Sequence, residues 1–568
     1  MAVLSHTLEF VIYLVSGIGY GLYFDLNSIE AGLVGLLLIC AWRGWLPAIP
    51  IRRWWRAWTG FAQRRKTAVA VVFFAALLAR VLVLPFFPVP HPVVADEFSH
   101  LLIADTLSHG RLTNPVHPLW PHFESLHIIQ RPTYNSDYFP GQGAALALGE
   151  AVGHPWLAVW LLSAAMCALL CWMLQGWLPP AWALAGGAIA ILRFDIASYW
   201  INGYYGGSLA ALGGALVLGA YPRLVRRPSA TLSILAGLGV AILVCTRPFE
   251  GLAVTAPITI AVAWRIFERR LSFRWSIPAA VVVMLGVAGL MIYSRAVTGD
   301  PLRPPYSVNQ ATYGWPMALP WFHPPNRTFA NVELQRYYDF ERDVHDRNSS
   351  VGDLIKNSTL KLQNTWRFYF GPALSIPLIM LVALWNSGRQ SLLLVSGGLT
   401  LLLTLIETGS SPHYAAAATG CFLAALLGCA RKLCRRRSGA QLMLAAPAVM
   451  LLILGIRVGL EQLHLPFTQK VNYESWCCVH PPNLNKAHIG RTLEAVPGRH
   501  LVLVKPKTDP ANVLQWIYND AQIDASRIVW ARDLGEGKNQ DLLEYFRGRR
   551  VWVVDPNVEP ATLKPYAP

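Results

Sequence analysis

The sequence predicts an α-helical polytopic membrane protein carrying a small C-terminal α/β domain on the outer side. Three observations lead there. Over 568 residues, 54% are apolar and only 14% charged, with a mean hydropathy of +0.37, which leaves too little charge to solvate a soluble chain of this size. Apolar stretches that reach or approach the roughly 20 residues needed to cross about 30 Å of hydrocarbon recur up to residue 460. Finally, the basic residues gather in alternate loops, so the net charge of +16 reports topology and requires no nucleic-acid partner.

About 13 spans are predicted from length and apolarity. They run approximately over Leu8–Leu22, Ala31–Leu46, Thr67–Phe86, Trp156–Leu174, Ala181–Leu192, Leu209–Tyr221, Leu232–Cys245, Leu252–Trp264, Ile277–Tyr293, Pro372–Trp385, Leu392–Ile406, Ala415–Ala430 and Leu442–Leu460. The basic loops contain Arg52 to Lys66, Arg223 to Arg227, Arg265 to Arg274, Arg389, and Arg431 to Arg437, with Glu268 their one acid. They face the cytoplasm by the positive-inside rule. The N-terminus is then cytoplasmic, the C-terminus extracytoplasmic, and loops 91–155 and 294–371 are external. This divides the chain into an N-terminal hairpin with its basic loop (1–66), a main transmembrane domain (67–460) and an extracytoplasmic domain (461–568).

In that last segment, strand-like HLVLV, SRIVWA and RVWVV are separated by helix-like DPANVLQWIYNDAQ and NQDLLEYFRG. The order predicts a βαβαβ unit. No G-x-G-x-x-G follows its first strand, which argues against a dinucleotide site. Cys477 and Cys478 are read as ordinary thiols, because neighbouring cysteines bridge only with strain.

Large outer loops point to work at the outer face. The first begins HPVVADEFSHLLIADTLSHGRL, a short helix stopped by Gly110. Asp96 and Glu97 open it. Such residues serve helix capping and the helix dipole, yet a carboxylate fixed where lipid meets water also suits a general base. Asp105 is expected to be solvated. His117, His122 and His127 are spaced five apart, not as an i, i+4 ligand pair, so no metal ligands are assigned; an oxygen-ligated divalent ion using Asp96 remains compatible. Later spans end in Arg193 and Asp195 (RFDIASYW), Arg247 and Glu250 (TRPFEG), and Glu407, His413 and Tyr414 (ETGSSPHYAAA). Singly these are helix-end residues; together their cations are able to hold a lipid phosphate.

ADEFSH after a span, P-G-Q in DYFPGQGAALALGEAVGHPW, the small-residue helix GLGVAILVCTRPFEG and HYAAAATG together resemble the GT-C superfamily of membrane glycosyltransferases. The likeness is to bacterial members related to protein mannosyltransferases and to aminoarabinose or galacturonic acid transferases. It covers about residues 67–460, and His413 stands where those proteins carry an arginine. The resemblance implies a GT-C-like fold in a bacterial inner membrane. It also implies inverting transfer from a polyprenyl-phosphate sugar donor to an acceptor hydroxyl or amine on lipid, glycan or protein. Asp96 would be the base, with Glu97 beside it; Arg247, Arg193, His413, Tyr414 and Glu250 would hold the donor phosphate, and a divalent metal could assist. Two alternatives stay open: a lipid or glycan flippase using intramembrane Arg80 or Arg457, and an inactive GT-C-like scaffold.

Overall fold

The computed structural model describes residues 26–45, 51–314, 319–322, 327–348, 350–385, 390–409, 411–435, 437–462, 475–477, 484–507 and 516–566. The chain is mostly helical, with one small sheet domain near its C-terminus. Among the described residues, six helices are long and apolar enough to cross a membrane: Trp156–Trp177, Gly207–Arg226, Pro248–Phe267, Phe273–Thr298, Pro412–Leu433 and Gly439–Ile456. A seventh is obtained if Val351–Tyr369 and Gly371–Leu384, bent by 90°, are one broken span. Ile29–Trp42, Ala230–Thr246 and Ser391–Ile406 are shorter apolar helices. The expected number of about 13 spans is therefore not reached by this measure; Leu8–Leu22 and Arg389 lie outside the described residues.

Small residues set how closely the bundle packs. Helix Gly207–Arg226 lies against helices Trp156–Trp177 and Ala230–Thr246. A Cβ on its Gly214 would stand 1.9 Å from the Ala417 carbonyl oxygen, so glycine is what admits the His413–Ala418 turn. On the outside of the bundle, the most apolar window of Phe273–Thr298 has no buried residue. Leu285, Met284 and Ile292 project from it, a face that suits lipid.

Loop 91–155 contains a short hairpin of β1 (Ile128–Ile129) and β2 (Asn135–Ser136), and the C-terminal sheet consists of β3 (His500–Val504), β4 (Ile528–Arg532), β5 (Arg550–Asp555) and β6 (Thr562–Pro565) in the order β4-β3-β5-β6. β3 pairs parallel with β4 and β5, while β6 adds antiparallel to β5. The three predicted strands are present, and helix Glu536–Tyr545 joins β4 to β5. β6 was not expected, and the helix expected over 509–522 is absent from its described part, where Trp516–Gln522 is irregular. Cys477 is disulfide-bonded, correcting the thiol reading; Cys478 lies outside the described residues.

This domain packs on loop 91–155. Leu501, Val529 and Leu542 share one core with Phe123 and Leu126 from that loop and Tyr337 from loop 294–371. Asp105 is not simply solvated, because its Oδ2 accepts the Ala521 amide at 2.6 Å. Likewise, the first-loop histidines have separate tasks: His117 meets Asp524 at 3.1 Å and His122 meets the Arg532 carbonyl at 2.9 Å. Arg532 also pairs with Glu333 and donates to the Glu124 carbonyl, joining three segments distant in sequence.

Candidate functional site

Helix Ala95–Ser108 begins with Val94 as its N-cap. Valine has no side-chain acceptor, so the exposed amides of the first turn need another partner. Glu97 does not supply it but turns back on the chain entering the helix: Oε2 accepts the amides of Val93 (2.9 Å) and Val94 (3.3 Å), and Oε1 accepts that of Tyr204 (3.0 Å). Glu97 is fully buried. Its expected place as a second catalytic acid is corrected accordingly, since both carboxylate oxygens hold backbone.

With Glu97 committed to backbone, Asp96 points elsewhere and stays partly exposed. Its Oδ1 accepts the Tyr138 hydroxyl at 2.5 Å. The ring of Tyr138 lies 4.6 Å from His100 and 5.0 Å from His127, centroid to centroid. β1 (Ile128–Ile129) and β2 (Asn135–Ser136) pair antiparallel, a register that brings His127 opposite Asp137. Their side chains meet at 3.3 Å, and Asp137 in turn accepts Asn309 Nδ2 at 2.5 Å. A short hairpin thus builds a carboxylate–imidazole–carboxylate row around Tyr138.

The charges in this row follow from their neighbours. Burial pushes the Asp96 carboxyl up, but His127, the Tyr138 hydroxyl and His100 together hold it below the usual range. Burial likewise pushes His127 down, and Asp137 and Asp96 more than reverse this, so its pKa is raised. His100 is pushed to about 3 by burial, against the pull of Asp96 and with help from Arg247 and His127. At neutral pH the row therefore contains an ionised Asp96 and an uncharged His100. Glu341, on helix Val332–Asp346, also feels Asp96 and His127; burial raises its pKa.

Arg247 reaches the same place from the bundle. Proline at 248 disfavours the helical region for the residue before it, so helix Ala230–Thr246 stops and Pro248–Phe267 starts anew, with Arg247 at the break. Its guanidinium lies 4.4 Å above the Tyr414 ring and 2.9 Å from Glu250. Glu407 is within electrostatic reach of Arg247 and Glu250. His413 accepts or donates at 3.1 Å to the Tyr199 hydroxyl, 5.2 Å from the ring of Tyr205.

The P-G-Q motif explains how the two halves meet. Helix Pro140–Ala151 lies between them. A Cβ at Gly141 would stand 2.6 Å from the Cys245 carbonyl oxygen, and one at Gly143 would stand 2.3 Å from Ile103 Cβ. The two glycines let this helix touch both the end that carries Arg247 and the helix that carries Asp96.

Arg193 is placed differently. Nε donates to the Phe368 carbonyl at 2.7 Å, Nη2 donates to the Arg367 carbonyl, and the guanidinium stacks 4.4 Å over Trp476. It holds the bend at Gly371, where Glu30 also caps the Ala373 amide at 2.8 Å. This arrangement lends no support to its expected part in phosphate binding, because the group is buried and two of its nitrogens hold backbone carbonyls. Arg80 is similarly bound to the Phe87 and Pro88 carbonyls and to Asn202; the Arg457 side chain lies outside the described residues. Among the described residues no cluster of three or more His, Cys, Asp or Glu side chains is arranged to hold a metal ion.

No family model and no curated protein matches this chain. It is similar to two solved archaeal structures. One is the oligosaccharyltransferase of Archaeoglobus fulgidus in complex with zinc and sulfate, at a TM-score of 0.46 and 10% identity over 86% of this chain and 67% of that one. The other is oligosaccharyltransferase AglB of Archaeoglobus fulgidus in complex with an inhibitory peptide and a dolichol-phosphate, at a TM-score of 0.36 and 11% identity over 86% and 69%.

Tyr138, His127, Asp137 and Glu341 were not among the residues expected from sequence to act in catalysis. Of these, Tyr138 carried a local signal, two residues before the P-G-Q turn. The others depend on hairpin register and on the docking of the second outer loop.

Proposed function

We propose that this protein is a membrane glycosyltransferase. It moves a sugar from a polyprenyl-phosphate carrier to an acceptor hydroxyl or amine at the outer face of a cell membrane, with inversion. The observation that carries this reading is the shared neighbourhood of Asp96 and Arg247, both of which act on His100. Attack by a hydroxyl needs a base, and Asp96 is ionised and partly accessible. Departure of the sugar leaves charge on the carrier phosphate, which a pre-positioned guanidinium stabilises. Arg247 is aimed by Glu250 and Tyr414, and His413 borders the same space.

Tyr138 donates a hydrogen bond to Asp96 Oδ1 and so leaves Oδ2 for the nucleophile. The phosphate side rests on Arg247, and Arg193 takes no part in it. In this proposal Asp96 and Arg247 carry the reaction.

The test is reconstitution of the purified protein with a panel of polyprenyl-phosphate sugars. Asp96→Asn should lower turnover by about 10²- to 10⁴-fold while donor binding persists. Unchanged transfer by that variant would remove Asp96 as the base. Movement of lipid across the bilayer without release of sugar would replace the reading with transport.

A further inference from the structure

A small cavity of about 90 Å³, open on one side, lies between loops 91–155 and 294–371. Its polar wall is formed by Glu124, Gln130, Asn309 and Thr312, and Trp120 with Arg131 stands at its rim. Isoleucine and valine side chains complete it. None of these residues takes part in the reaction proposed above.

The wall is rich in acceptors. Gln130 is only 4% exposed, and while its Nε2 donates to the Phe123 carbonyl at 2.7 Å, its Oε1 is buried with no partner. An unpartnered buried acceptor is unfavourable until a donor reaches it. Glu124 accepts Tyr313 at 2.8 Å and Asn331 at 3.4 Å, and a carboxylate offers roughly four acceptor sites. The Thr312 hydroxyl donates to the Val308 carbonyl, so toward the cavity it offers lone pairs. Arg131, the nearby cation, is stacked 4.6 Å from the Trp120 ring. Such a surface seeks a ligand with many hydroxyl donors and an apolar face for aliphatic and aromatic walls, which describes a pyranose ring.

The cavity also connects to Asp96. Asn309, 2% exposed in its wall, donates to Asp137, and Asp137 holds His127. We propose that this cavity is a sugar subsite, taking either a glycosyl unit of the acceptor or a distal sugar of the donor. The acceptor or donor is then a glycan and not a bare lipid or peptide. The inference rests on the glycosyltransferase reading for its meaning, but its test needs no turnover.

The full-length Asp96→Asn protein in detergent is probed by saturation-transfer NMR with free glucose, galactose, mannose and N-acetylglucosamine and their disaccharides. At least one should bind. Thr312→Trp, an exposed change at the mouth, should abolish the signal, and Gln130→Met should weaken binding about tenfold. Displacement of the free sugar by a polyprenyl-phosphate sugar assigns the subsite to the donor; simultaneous binding assigns it to the acceptor. Absence of binding by every sugar, or binding that Thr312→Trp leaves intact, overturns the proposal. Loss of catalysis alone, with binding retained, bears on the base and not on this cavity.

Discussion

Arg193 and Arg247 occupy similar places in the sequence, each following a run of small apolar residues, yet the fold uses them in opposite ways. The first spends its donors on the Phe368 and Arg367 carbonyls and lies under Trp476. The second faces two carboxylates and an aromatic ring and shares a neighbourhood with Asp96. A buried guanidinium among backbone carbonyls maintains geometry. One among side chains is free to answer a ligand's charge, because those partners can rearrange. Glu97 and Asp96 repeat the contrast on one turn of helix.

Four expected outcomes sharpen this division. Arg193→Ala should cost about 3–5 kcal/mol of stability, since it strands buried partners; thermal unfolding in detergent reads the loss, and an unaltered midpoint would return Arg193 to the list of ligand-binding residues. Arg247→Gln should do the reverse, lowering turnover about 10²- to 10³-fold while unfolding changes far less. A variant that turns over normally would leave the leaving phosphate without its cation.

His127→Gln is expected to have a smaller, pH-dependent effect. His127 is the strongest of the groups lowering the Asp96 pKa, so its removal should move the acidic limb of the activity profile upward by about 1 unit. The sign follows for stability as well. With its folded pKa raised, His127 contributes fully below its ordinary value of 6.5 and loses that contribution as pH climbs through the raised folded value. A pH profile identical to the wild type would separate His127 from Asp96.

The smallest expected effect belongs to Lys486, in the outer domain. It lies 4.4 Å over the Phe98 ring and donates to the Tyr518 carbonyl at 3.0 Å. Burial pushes it down to about 7, against Asp520. The unfolded chain therefore binds more protons between about pH 7 and the ordinary lysine value of 10.5, and stability should rise across that window. Lys486→Met should flatten the rise, as measured by unfolding midpoints at several pH values.

Much of the bundle was legible because composition and loop charge are local properties. The bend at Gly371 was not, since the apolar run Pro372–Trp385 hides a break that only the positive φ of 57° at Gly371 reveals. Asp96 stood out in the sequence for its place after a span, and Arg247 for its place at the end of one in TRPFEG. The division of roles between Asp96 and Glu97 was hidden because it depends on the Tyr204 amide, 107 positions away. His127 and Asp137 were hidden for a related reason: only the pairing of β1 with β2 brings them together. In the outer domain the strands were clear from their β-branched runs, whereas β6 (TLKP), with little apolar content, gave no such cue.

The glycines of helix Pro140–Ala151 carry one more implication. Because Gly141 abuts the arginine-bearing end and Gly143 the aspartate-bearing helix, a single rigid rod works as a caliper, fixing the gap between proton acceptor and guanidinium. Widening either jaw with a methyl group would leave every reacting side chain chemically unchanged and still detune the distance between Asp96 and Arg247.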